Sequence, residues 1–147
     1  MNGGIDLAYS NRFGWDLQQR GQDYLLQNHD GELPVGQAVI VPIGKDDEPY
    51  KWLVSAPTMR VPMDVSGTVN AFLAMRALLR AVKKHNSIAA DDTIRYGKPV
   101  NSEIKSVLCP GLGTAIGRLP YDIAAHQMRE AYRIVMEGKA FVPANIA

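Results

Sequence analysis

Ile104-Lys105-Ser106-Val107-Leu108-Cys109 runs without a break into Pro110-Gly111-Leu112-Gly113-Thr114-Ala115-Ile116-Gly117. The first six residues, mostly apolar or β-branched, read as a strand, and the proline and glycines that follow stop it. Pro120 then suits the first turn of a helix whose apolar stripe is Ile123, Ala124, Met128, Ala131, Ile134 and Val135. Gly138 is placed to end that helix. A strand that feeds a glycine loop and then a helix is a unit of α/β proteins, and ligands in such folds gather where strands end.

Working back from that unit, the spacing of Val69, Phe72, Leu73, Leu79 and Val82 predicts a helix over Val69 to Lys84. Ser66 or Thr68 is placed to cap it, and Arg80, Lys83 and Lys84 complement its dipole. Ser87 to Asn101 is polar and reads as a surface connection. Gln37 to Val41 and Trp52 to Val54 read as two strands of a hairpin, joined across the polar turn Gly44 to Pro49. Ile5, Ala8, Tyr9 and Phe13 open a helical pattern that runs to about Gln27 and is weakened at Gly14 and Gly21. The tail Phe141 to Ala147 is expected to add a short strand. Helices and strands interleave, so the expected class is α/β, one domain over 1–147, with helices covering a partly parallel sheet. Gly3-Gly4, the loop after Pro57 and the loop from Gly111 to Gly117 should then share one rim.

Composition narrows the function. Sixteen basic and 15 acidic residues leave a net charge of +1, so no overall field draws nucleic acid or a membrane surface. The single Cys109 excludes an internal disulfide and a cysteine-rich zinc site, which suits a reducing compartment. With no apolar run of membrane-spanning length and no signal-peptide layout at the N-terminus, a cytoplasmic location is expected.

Two glycine segments precede helices: Asn2-Gly3-Gly4-Ile5-Asp6 and the loop from Gly111 to Gly117. Glycines at such points let backbone N–H groups turn toward an anion beside a helix start. One such loop is as well explained by close packing, and two in one chain favour a diphosphate-bearing ligand. A dinucleotide fingerprint fails, because Gly111-Leu112-Gly113 is followed by Ile116 and its next glycine comes one residue late. Gly-Lys-Ser and Gly-Lys-Thr are absent, which removes a nucleoside-triphosphatase loop. Asp6 is a candidate base, with a helix-dipole role as the plainer reading. His29, His85 and His126 lack metal-like spacing, His29 and His85 falling at predicted helix ends, and no metal or cofactor is expected. Cys109 reads as a small core residue at a strand end. Thr58 and Arg60 are positional candidates for phosphate or ribose contacts.

The glycine segments and the order of elements between them resemble a macro domain, the ADP-ribose-binding module. Asn2-Gly3-Gly4-Ile5-Asp6 is similar to that family's first loop, and Pro110 to Pro120 is similar to its second, whose amides hold the diphosphate. The resemblance implies a three-layer fold with a mixed central sheet between helices. It implies ADP-ribose or an ADP-ribosylated substrate as the partner, with contacts from Asn2, Gly3, Gly4, Ile5 and Asp6, and from Gly111, Leu112, Gly113, Thr114, Ala115, Ile116 and Gly117. If ADP-ribosyl groups are hydrolysed, Asp6 is the implied catalytic residue.

The chain also departs from the family's pattern. Ala115 stands where a glycine is usual, which restricts the phosphate cradle, and Gly117 where an aromatic is usual, which removes a cover over the ligand. The family's leading strands, with an Asp for the adenine and an Asn near the distal ribose, have no counterpart after Met1. One of those strands is central to the sheet. Either Met1 is an internal methionine of a longer protein, the preferred expectation, or the sheet is completed by strand rearrangement or by a second copy. A degenerate macro-like fold serving as a structural or interaction module is the alternative function.

Overall fold

The structure, a computed structural model, describes residues 4–45, 47–96 and 103–146, and of 90–96 the backbone alone. Helix α1 (Gly4–Phe13) is followed at once by α2 (Trp15–His29). The single helix expected from Ile5 is broken at Gly14, whose φ of +104° lies outside helical space. Gly21, by contrast, is carried inside α2. That helix ends where Asp30 and Gly31 both take positive φ and the Gly31 N–H closes on Leu25 O at 2.9 Å.

β1 (Val39–Pro42) and β2 (Trp52–Ser55) form the expected antiparallel hairpin, with Val39 opposite Ser55 and Val41 opposite Leu53. Val39 and Val41 alternate inward and join Phe13, Leu17, Leu33 and Ile43 in one apolar cluster, so the α1–α2 corner packs on the hairpin. Arg20 fixes the join by donating to Ile43 O at 2.8 Å.

Helix α3 (Asn70–Tyr96) and α4 (Tyr121–Val135) pack together. Ala71, Ala74 and Ala77 on α3 and Ala124 and Ala131 on α4 are buried, and such small side chains let the helices approach closely. Phe72 fills the space between them beside Ala131 and Ile146. α4 starts after Pro120 as expected, and its end closes through Gly138 at φ +67°, with Lys139 N–H on Arg133 O at 3.0 Å.

Three expectations are corrected. Ile104–Cys109 forms no strand, and the described residues hold a two-stranded antiparallel sheet rather than a mixed central one. A strand needs a neighbour for its amides, and the neighbour found for this segment is a side chain: Asn86 accepts from Ile104 N at 2.8 Å and donates to Ile104 O at 2.9 Å. Helix α3 passes through Ser87, where a surface connection was expected, to Tyr96. The tail forms a single 3₁₀ turn, Pro143–Asn145, instead of a strand. Among the described residues no helix is long and apolar enough to cross a membrane.

Candidate functional site

An open groove of about 620 Å³ runs between β2 and the irregular chain 103–110, with α1 along it and Leu78 of α3 behind. Ile5 and Asp6 from the first glycine segment and Pro110 and Leu112 from the second line it together. The fold therefore brings parts of the two motifs to one place although about a hundred residues separate them. Gly4, Ile5 and Asp6 form the first turn of α1, and Asn2 and Gly3 lie outside the described residues.

At the groove's end the loop from Gly111 to Gly117 folds back on itself. Gly113 takes φ +74°, its carbonyl accepts Leu119 N–H at 3.0 Å, and Gly117 O accepts Val65 N–H at 2.8 Å. Thr114 Oγ1 donates to Gly111 O at 2.8 Å, and Ala115 O accepts Arg118 N–H at 3.0 Å. Among the described residues the N–H groups of Leu112, Gly113, Ala115, Ile116 and Gly117 have no partner. Consecutive unpaired amides in a tight loop present partial positive charge and suit an anion. Gly113 to Gly117 do not line the groove; Gly113 and Gly117 pack against Val65. A Cβ on Gly117 would meet Val65 Cγ2 at 2.6 Å, so this position is packed full rather than left open over a ligand.

Asp6 is exposed on the first turn of α1, beside Tyr9 and Cys109. The Tyr9 hydroxyl is pushed above its ordinary range by burial and then by the nearby Cys109 and Asp6 charges. Burial pushes the Cys109 thiol up as well, which keeps it neutral and a poor nucleophile. Thr58 and Arg60 do not reach the groove. Arg60 forks onto both carboxylate oxygens of Glu32, at 2.5 and 3.1 Å, and Thr58 O holds Asn70 Nδ2 at 2.8 Å. His85 lies inside α3, not at a helix end, with its ring 4.7 Å from Trp52, and His126 meets Asn145 O at 2.6 Å. Among the described residues no cluster of three His, Cys, Asp or Glu side chains is placed to hold a metal.

Sequence reasoning missed the groove's other end. Arg12 and Tyr50 line it, and the Arg12 guanidinium lies 5.4 Å from the centre of the Tyr50 ring and 5.5 Å from that of Phe13. Glu48 holds the guanidinium in place at 3.1 Å. Nothing in the periodicity marks Arg12 or Tyr50, because the hairpin alone brings residue 50 over α1. The edge of β2 was also unforeseen. Ile43 N–H bonds Lys51 O at 3.0 Å, and alternation along the ladder then turns the N–H and C=O groups of Trp52 and Val54 away from β1, on the groove side.

The family's sequence model, described as Macro domain, matches residues 1–128. The chain belongs to the macro domain family. This macro domain is also similar to an uncharacterized protein of Aquifex aeolicus (strain VF5), 27% identical over 133 residues. The match covers 90% of this chain and 66% of that protein, so the macro domain described here spans about two thirds of its relative's length. No solved structure matches the chain.

Proposed function

We propose that this macro domain binds ADP-ribose or an ADP-ribosyl group. The observation that carries the reading is the set of amides at Leu112, Gly113, Ala115, Ile116 and Gly117 that have no partner among the described residues, in the loop that continues from a groove Asp6 also lines. A diphosphate carries the charge such a loop is built to receive. Its sugar would extend into the groove toward Ile5 and Asp6, with Gly4 leaving room beside the distal ribose. A second copy completing the sheet belongs to the same reading, because among the described residues neither the outer edge of β2 nor the 103–110 segment has a strand neighbour.

Asp6 is the residue through which hydrolysis would run. Its carboxylate would orient a water and take its proton as the water oxygen bonds to the anomeric carbon. The bond to the leaving group breaks as that bond forms, its electron pair leaving with the group, which then takes the proton.

Calorimetric titration with ADP-ribose tests it. Saturable heat that disappears on adding excess unlabelled ADP-ribose first is expected; no heat up to millimolar ligand refutes binding. The second reading, a macro-like module without ligand, is favoured by Ala115 in the cradle and by the tight packing at Gly117. It predicts an unchanged melting temperature at saturating ADP-ribose.

A further inference from the structure

We propose that a second cleft, between α3 and the end of α4, docks an extended acidic peptide of a partner protein. Arg76, Arg80 and Lys83 take its carboxylates, and Ile134 and Phe141 take its apolar side chains. ADP-ribose plays no part in this site.

The three cations follow one another along α3 at spacings of four and three, which stacks them in a single stripe. Leu78 and His85 each stand two places past a member of that stripe and therefore face the other way. Leu78 backs the groove, and His85 meets Trp52. Helix α3 thus stands between the groove and a cleft of about 440 Å³, lined by Arg76, Arg80, Lys83, Ile134, Val135 and Phe141.

Positive charge is gathered in this cleft although the chain as a whole carries only +1. Ion pairs among the described residues engage Arg12, Arg20, Arg60 and Arg133. Neither Arg76 nor Arg80 has a carboxylate partner among those residues, and no acid lines the cleft. Arg76 lies instead over the Phe72 ring at 5.1 Å, and Lys83 donates to Val135 O at 3.1 Å, so both are positioned without being neutralised. Like charges one turn apart on a helix repel, and incoming carboxylates relieve that repulsion.

The side facing the cations is apolar. Phe141 tilts against Phe72 at 6.1 Å yet remains 50% exposed, beside Ile134 and Val135 at the end of α4. A cleft that is basic on one side and apolar on the other fits a chain whose successive side chains point in opposite directions, as those of an extended peptide do. Arg76 and Arg80 are about 6 Å apart along the helix axis, and alternate residues of an extended peptide about 6.6 Å, so acids at every second position meet the stripe. Guanidinium forks bind carboxylates through paired bonds, and Arg clusters read acidic motifs in this way. Nucleic acid is the poorer occupant, because three cations are a short run for a phosphate backbone and a near-neutral chain draws none from a distance.

The probe is a fluorescein-labelled hexapeptide that alternates Glu with Leu and Phe. Its controls are the same peptide with Lys in place of Glu and a labelled single-stranded DNA hexamer. Fluorescence anisotropy at low salt follows each on the wild type, Arg80→Glu and Lys83→Gln, with circular dichroism checking the fold; if the charge reversal misfolds, the milder Lys83→Gln decides. Saturable binding of the acidic peptide alone is expected, weakened about tenfold or more by Arg80→Glu and unaffected by saturating ADP-ribose. Protein NMR should show the peptide moving the amide resonances of residues 76–83 and 134–141. Four results would overturn the site: no binding of the acidic peptide up to millimolar concentration, equal binding of the Lys peptide, tighter binding of the DNA, or binding indifferent to both substitutions. Displacement of the peptide by ADP-ribose would put it in the groove and overturn the site as well. Because no step here uses the glycine loop, peptide binding without ADP-ribose binding would uphold this cleft while refuting the ADP-ribose reading.

Discussion

The Gln127 side chain of α4 accepts the Phe72 N–H at 3.2 Å, deep between the two long helices, and donates to Thr68 O at 2.9 Å. Phe72 lies in the first turn of α3, where backbone N–H groups have no partner within the helix. Thr68 Oγ1 serves the Asn70 N–H at 3.3 Å, so two side chains divide the capping of this end. Gln127 is 1% exposed and bonded at both ends of its amide, and it fixes how α3 and α4 meet. Replacing it by Leu would strand a buried donor and a carbonyl, at a cost of about 1–3 kcal/mol. Urea unfolding of Gln127→Leu against the wild type measures it, and an unchanged midpoint would refute the role.

Gly117 gives a second stability prediction. A Cβ there would lie 2.5 Å from Gly113 O and 2.6 Å from Val65 Cγ2, and the first of these is backbone that cannot rotate aside. Gly117→Ala should destabilise the protein by roughly 1–3 kcal/mol, as overpacking of a filled site does. Gly67, whose Cβ would meet nothing within 4 Å, is the control, and Gly67→Ala should leave the midpoint nearly unchanged. The same comparison bears on ligand binding. If Gly117→Ala unfolds no more easily than Gly67→Ala, the loop is mobile enough for its amides to be rearranged.

The helices and the hairpin were legible because each is written locally: period, stop signals and turn residues lie within the element. Pro120 and Gly138 bracketed α4 on both sides, and Gly14 marked the break that divides the first helical pattern in two. Ile104–Cys109 shows the limit of such reading. Its composition is that of a strand, yet strand formation is decided by a neighbour that the segment's own residues do not encode. The helical course past Ser87 was hidden by polar residues, whose exposure is compatible with helix as well as loop. Of the residues picked by motif, Ile5, Asp6 and Leu112 line one groove, while Gly113 to Gly117 do not. Arg12, Tyr50 and the β2 edge were missed because tertiary packing alone gives them a shared position.

Stability should fall in alkali. Burial raises the folded-state values of both the Cys109 thiol and the Tyr9 phenol, so each group holds its proton more firmly folded than unfolded. An unfolded chain that loses protons first is favoured as pH rises. The contribution is therefore complete below the unfolded thiol's value, about 8.5, and is lost as pH climbs through the folded one, with Tyr9 adding its share at higher pH. Cys109→Ala should flatten the first part of the decline while Tyr9→Phe flattens the second. Melting temperatures collected from neutral pH upward check both, and a curve unchanged by either substitution would reject the assignment. The same neutral thiol should react slowly with alkylating reagents at neutral pH.

Asn86 controls one wall of the groove. Its two bonds to Ile104 imitate a ladder partner and are the anchor that the structure supplies at the start of the irregular segment. Val107 and Leu108 beyond it are exposed, the latter at 75%, so little apolar burial holds the segment in their place. Asn86→Ala removes both bonds, for about 1–3 kcal/mol in all if each contributes the usual net amount. The consequence should be local as well as global. Amide exchange at 104–109 should speed up while the α3–α4 core stays protected, and ADP-ribose binding, where present, should weaken because the groove must be ordered before it can be filled. Exchange rates at 104–109 equal to those of the wild type would show that another contact holds this wall.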